Sequence, residues 1–214
     1  MKTLVGSLLI LLGICLSAGQ SSNPGRYREL VQRLKAGDHT VDFTEFRMAF
    51  ADSPEFRAPD TKLASHAKAA FEAGQYQEVL ADAGKMLDED FADVQAHILS
   101  YRAYKELGHA DEAALSEFIY EGLLRSIEKS GDGKTKQTAY VVISMSETLL
   151  PLWRGQVSEG AFAAEMLPDK EHRWLKVGGV DIHTRKPFVL FFNVDIPVKR
   201  IEQQLQKKKT TKQT

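Results

Sequence analysis

The feature that most constrains this chain is an internal echo at a spacing of 34 residues. Phe71-Glu72-Ala73-Gly74-Gln75-Tyr76-Gln77-Glu78 is answered by Lys105-Glu106-Leu107-Gly108-His109-Ala110-Asp111-Glu112. Ala69 and Ala103, Glu72 and Glu106, Gly74 and Gly108, and Glu78 and Glu112 are identical across that spacing. A fixed period of this length with glycine at the turn marks stacked helix–turn–helix units, none of which can bury its apolar face alone. The pattern predicts a groove-forming helical scaffold and argues against a catalytic α/β core.

In period and turn glycine the segment resembles tetratricopeptide repeats. It departs from them at three places: His97 stands where the repeat has a large aromatic, and Ala67 and Tyr101 where it has glycine. With fewer than two full repeats the segment is tetratricopeptide-like, not a long array. The expected helices are 61–73, 76–87, 94–107 and 110–128, with small alanines at the crossings so that backbones approach closely. Phe71, Leu99, Phe118 and Leu123 are the expected core.

The chain opens MKTLVGSLLILLGICLSAGQ. Lys2 gives a positive start, Leu4 to Leu16 is an apolar run too short for a permanent span, and Ser17-Ala18-Gly19 supplies the small residues a signal peptidase reads. Cleavage is expected at Gly19/Gln20, with Ala18/Gly19 as the alternative, and the address is periplasmic or secreted. Ile14, not a small residue, precedes the sole cysteine, Cys15, which argues against lipidation. A mature chain without cysteine depends on core burial alone.

Losing Lys2 leaves 27 basic and 29 acidic residues, a formal charge of −2. Such a near-neutral chain is not a nucleic-acid binder by bulk electrostatics. Basic residues crowd only the C-terminus, where 207–214 reads as a flexible tail.

Before the repeat, Tyr27, Leu30, Val31 and Leu34 share the face of a helix that Gly37 ends, and Asp42 or Thr40 caps a second helix carrying Phe43, Phe46, Met48 and Phe50. Ala58-Pro59-Asp60 punctuates an exposed connection. After Ser130-Gly131-Asp132-Gly133 the texture changes. Thr138 to Ile143, Trp174 to Val177 and Phe188 to Val194 read as strands, with a turn at His183 to Pro187. Leu149-Leu150-Pro151-Leu152-Trp153 is a short amphipathic piece. Pro197 starts a terminal helix with Val198, Ile201 and Leu205 on one face. The expected fold class is α+β, mainly α: tetratricopeptide-like hairpins, then a small antiparallel sheet with a C-terminal helix. The expected divisions are a signal peptide at 1–19, a helical region at 20–129, sheet plus helices packed on it at 130–206, and the tail.

Tyr27, Leu30, Leu34, Gly37-Asp38, Asp42-Phe43, Phe46-Arg47 and Ser53-Pro54 resemble the N-terminal signature of a secreted bacterial family, domain of unknown function 4919. Gly74-Gln75-Tyr76, Asp93, Ala96-His97, Gly122-Leu123-Leu124, Ser126-Ile127, Ser130 to Gly133, Thr138-Ala139-Tyr140 and Phe191 to Val194 continue the likeness over almost the whole mature chain. The resemblance implies export in Gram-negative bacteria and no established activity.

No chemical constellation stands out. The six histidines are scattered, with no metal-ligand spacing, and no cofactor or metal is expected. Gly133-Lys134-Thr135 follows a helix and leads into a strand, the reverse of a phosphate loop, so the turn reads as a helix stop. There is no Gly-x-Ser-x-Gly, and Asp88-Glu89-Asp90 reads as a solvated run. The favoured function is an exported helical-repeat binding or adaptor module for a protein or peptide partner. It would carry no integral membrane anchor once cleaved. Tyr101, Arg102, Tyr104 and Lys105 are its expected binding-face residues. No catalytic residue is assigned. The rival is a small exported hydrolase with a site between helices and sheet, and it would use His97 and Asp132.

Overall fold

Local signals place the first six helices. In the computed structural model, which describes residues 25–56 and 61–211, α1 (Arg26–Lys35) buries Tyr27, Leu30 and Leu34 along one face. Asp42, not Thr40, caps α2 (Phe43–Asp52), its carboxylate accepting from the Thr44 and Glu45 amides at 2.7 and 3.0 Å. Four helices follow: α3 (Thr61–Glu72), α4 (Tyr76–Glu89), α5 (Val94–Leu107) and α6 (Ala110–Glu128). The signal segment, its Cys15, the connection at 58–60 and the end of the tail at 212–214 lie outside the described residues.

The echo is reproduced bond for bond at two helix ends. The Gly74 amide donates to Phe71 O and the Gln75 amide to Ala70 O; 34 residues on, Gly108 donates to Lys105 O and His109 to Tyr104 O. Gly74 and Gly108 both take left-handed backbone, φ +72° and +77°, which glycine adopts without the Cβ penalty. The same pair of bonds closes α1, from Gly37 to Leu34 O and from Asp38 to Arg33 O. Successive helices from α3 to α6 pack on one another, and α3 also touches α5. The core shared by α3, α4 and α5 is small: Ala67, Ala70, Val79, Ala83, Leu99 and Ala103.

The larger core is built from distant pieces. Tyr27, Phe46, Phe50 and Phe91 meet Ile119, Leu123 and Ile127 of α6, and these meet Val142, Ile143, Val177 and Phe192. Thus α6 belongs to the larger core, while the smaller one is drawn from α3, α4 and α5. Phe71 and Phe118 only partly enter these cores; Leu99 and Leu123 are buried.

The C-terminal part confirms an α+β, mainly α protein but corrects its sheet. β1 (Tyr140–Val141), β2 (Phe162–Pro168), β3 (Arg173–Val180) and β4 (Pro187–Asn193) lie in the order β1-β4-β3-β2. The β3–β4 hairpin is antiparallel as expected, but β1 runs parallel to β4, so the sheet is mixed. The strand expected over 138–143 shrinks to two residues because the Ile143 amide turns away to the Glu147 carboxylate at 2.8 Å. β2 was not legible: Phe-Ala-Ala-Glu-Met-Leu-Pro has no β-branched residue, and an edge position gives it strand geometry through β3 alone. A 3-10 helix (Met145–Leu149) leads into α7 (Leu150–Trp153), and α8 (Asp195–Thr211) closes the described chain. On α8 only Val198 of the expected apolar face packs on the core; Ile201 and Leu205 are exposed.

A buried ion pair ties the two regions. Arg47 of α2 donates through Nε and Nη2 to the Glu147 carboxylate at 2.9 and 2.6 Å. It also reaches Val141 O at 3.0 Å and Ser126 Oγ at 3.3 Å. Both side chains are buried, 3% and 2% exposed, so every polar atom needs a partner.

Candidate functional site

His97 and Asp132 are not assembled into a site. Asp93 caps α5 through the Ala96 amide at 3.0 Å, which places His97 one turn in and facing the core. There its Nε2 lies 3.0 Å from Phe91 O, and its ring meets the Phe91 ring edge-on at 5.0 Å. Burial pushes its pKa down to about 4, so at neutral pH the ring is uncharged and Nε2 is the donor. Asp132 lies on the exposed turn after α6. Its carboxylate accepts from Thr138 Oγ1 at 2.6 Å and from the Lys134 amide at 3.0 Å, which lowers its pKa. The Asp132 and Gly133 amides, which a phosphate would need, both donate to Thr138 O at 2.9 and 2.8 Å. Among the described residues no hydrogen bond or ion pair joins His97, which is buried, to Asp132, which is exposed. The hydrolase reading has no support here.

The acidic run at the end of α4 divides. Asp88 and Glu89 face solvent, whereas Asp90 turns inward and accepts from the Ala92 amide at 2.8 Å. Burial, then neighbouring Asp93, raises Asp90; burial raises Asp93 as well. These carboxylates organise the entry to α5. Among the described residues no group of three His, Cys, Asp or Glu side chains could hold a metal ion.

The four expected binding residues separate into two pairs. Tyr101 and Arg102 line a cleft of about 490 Å³, together with Ile98 and Leu99 of α5, Lys68 of α3 and Tyr120 of α6. Leu149, Leu152 and Trp153 close it from the 3-10 helix and α7. Tyr104 instead stacks on His109 at 5.9 Å, and Lys105 sits over the Tyr101 ring at 5.2 Å with Nζ 3.3 Å from its hydroxyl. They stand outside the cleft lining.

The cleft is apolar, with charges at its edges. Tyr101 and Tyr120 pair at 5.5 Å between ring centroids, and burial first, then Glu117 and Glu121, pushes the Tyr120 hydroxyl up to about 12. Lys68 pairs with Glu159 from the loop before β2. The Arg102 guanidinium lies 4.1 Å above the Phe71 ring. The Leu149–Trp153 contribution was readable only as a short amphipathic piece; α6 and the Glu159 loop reach the cleft through tertiary packing. Apolar clefts of this volume with a few placed polar groups are the usual form of a ligand site.

The fold and this cleft define an α+β, mainly α protein with an open amphipathic site and no assembled catalytic group among the described residues. Residues 19–154 match the family described as domain of unknown function (DUF4919), and the chain belongs to that family. The match takes in every residue of the cleft lining except Glu159 and stops before β2. No curated protein and no solved structure matches the chain. Among the described residues no helix is long and apolar enough to cross a membrane.

Proposed function

We propose that this protein is an exported, tetratricopeptide-like binding module of the periplasm or the extracellular space, and that it holds an apolar group of a protein or peptide partner in the α5–α7 cleft. The observation that carries the reading is the lining itself. Half-buried Tyr101, Tyr120, Leu149, Leu152 and Trp153 stand on helices around an open cleft, with no nucleophile–base pair among them. Large amphipathic side chains on a rigid scaffold are what recognition surfaces use, since they gain contact area at low entropic cost. The repeated helix-end geometry at Gly74 and Gly108 supports the tetratricopeptide-like part, and Lys2 with the apolar run to Leu16 supports export.

The test compares the mature chain with Trp153→Ala and Tyr101→Ala as bait in envelope extracts. Loss of a specific captured partner from both variants, with unchanged circular dichroism, is the expected result. A partner captured equally by all three proteins would remove the cleft from the function. Export is checked by mass spectrometry of the envelope fraction, where a chain beginning at Gln20, or at Gly19, is expected; an intact Met1 would overturn it.

A further inference from the structure

Arg102 gives the cleft a chemical preference. Arg26, Arg28, Arg33, Arg47, Arg125, Arg154 and Arg173 each meet a carboxylate of this chain within 4 Å, whereas Arg102, like Arg185 and Arg200 away from the cleft lining, meets none among the described residues. The centre of its guanidinium lies 4.1 Å from the Phe71 ring centroid, a contact that restrains the side chain while its N–H donors make no hydrogen bond among the described residues. Of the other charges that line the cleft, Lys68 and Glu159 neutralise each other. The lining therefore carries one uncompensated positive charge beside Ile98, Leu99, Leu149, Leu152 and Trp153.

We propose that the cleft reads the free C-terminus of a peptide whose last side chain is apolar, with the carboxylate on Arg102 and the side chain against Trp153 and Leu152. The inference rests on the cleft being the binding site. Two parallel N–H···O bonds from a guanidinium to a carboxylate are shorter and about twice as strong as neutral ones. They strengthen further when an apolar side chain excludes water from the same cleft. An internal Asp or Glu offers a carboxylate but no apolar side chain on the same Cα, and a free fatty acid offers no backbone amide beside the carboxylate.

The experiment uses Trp153 as reporter with Trp174→Phe as background, titrating the mature chain with acetyl-Gly-Leu-Phe as free acid, the same peptide as C-terminal amide, and hexanoate. The free acid should bind about tenfold or more tightly than the amide, an advantage of roughly 1.4 kcal/mol, and tighter than hexanoate. Arg102→Gln should bring the acid-to-amide ratio to about one. Equal binding of acid and amide, both lost in Leu152→Ala, would overturn the carboxylate assignment and leave the cleft intact as a binding site. Hexanoate binding as tightly as the peptide acid would overturn the peptide assignment. No binding of any probe would overturn the proposal, and the capture comparison would still judge the cleft on its own.

Discussion

Replacing Arg47 by Met should be the most damaging single change in the helical region. The substitution keeps volume but removes both Arg47 bonds to Glu147, at 2.9 and 2.6 Å, leaving the carboxylate with the Ile143 amide alone. Val141 O and Ser126 Oγ lose the guanidinium as well. A buried charge stripped of its counter-ion typically costs about 3–5 kcal/mol, against a total stability of about 5–15 kcal/mol for a domain. Changing both partners, Arg47→Met with Glu147→Leu, removes the buried charge and leaves neutral groups to satisfy. Val141 O and the Ile143 amide then lose their side-chain partners at about 1–3 kcal/mol each, offset by the desolvation no longer incurred. The double variant should therefore be no worse than Arg47→Met alone, a coupling of about 3 kcal/mol or more. Urea unfolding at pH 7, followed by far-ultraviolet circular dichroism, reads all four corners of the cycle. A loss under about 1 kcal/mol for Arg47→Met, or additive losses in the double variant, would refute the reasoning.

Four further outcomes follow from the same geometry. Gly74→Ala and Gly108→Ala should each cost about 1 kcal/mol, because both hold left-handed backbone and neither would meet a steric neighbour; markedly unequal losses in urea would show that the two turns are not equivalent. His97 has its folded pKa lowered to about 4, so the unfolded chain takes up a proton first and His97 should withdraw stability as pH falls from 6.5 toward 4. Asp90 and Asp93, raised in the fold, act in the opposite sense over acidic pH. The difference between wild type and His97→Gln should therefore shrink by about 3 kcal/mol from pH 7 to pH 4, and a pH-independent difference would contradict a buried neutral ring. Phe118 is only half-buried, against His39 and Phe43 at 4.1 and 5.4 Å, so Phe118→Ala should cost about 2 kcal/mol and Leu123→Ala, fully buried, more; the reverse ranking in denaturant would mean α6 is turned the other way. Finally, deleting residues 174–214 strips Leu175, Val177, Phe192 and Val194 from the larger core and should unfold the helices too, whereas a cooperative melt from a chain ending near residue 135 would show an independent helical domain.

Asp181 shows how far local chemistry reaches. Its carboxylate accepts from the His183 and Thr184 amides at 3.0 and 2.7 Å, shaping the turn that lets Pro187 open β4, and each of these bonds spans two or three residues. The apolar run from Phe188 to Phe192 lacks the alternation of a half-exposed strand, yet burial along it is uneven. Phe192 is buried and Leu190 packs on the larger core, while Val189 on the opposite face is 44% exposed.

By itself the sequence determined what is decided within a turn or two of backbone. The 34-residue echo, the caps at Asp42 and Asp93, and the apolar spacing along α1 to α6 were all legible, because capping bonds and helical faces involve neighbours in the chain. Only the tertiary structure decided the parallel pairing of β1 with β4, the recruitment of β2, the burial of Arg47 against Glu147 and the closing of the cleft by Trp153 and Glu159. Arg47 and Glu147 are 100 residues apart, and Lys68 and Glu159 are 91 apart. At such separations any charged side chain has many possible mates, and the choice is made by which elements the larger core brings together. Thus Tyr101 and Arg102 could be placed on a helix face from spacing alone, but the cleft wall opposite them exists only once α7 has docked.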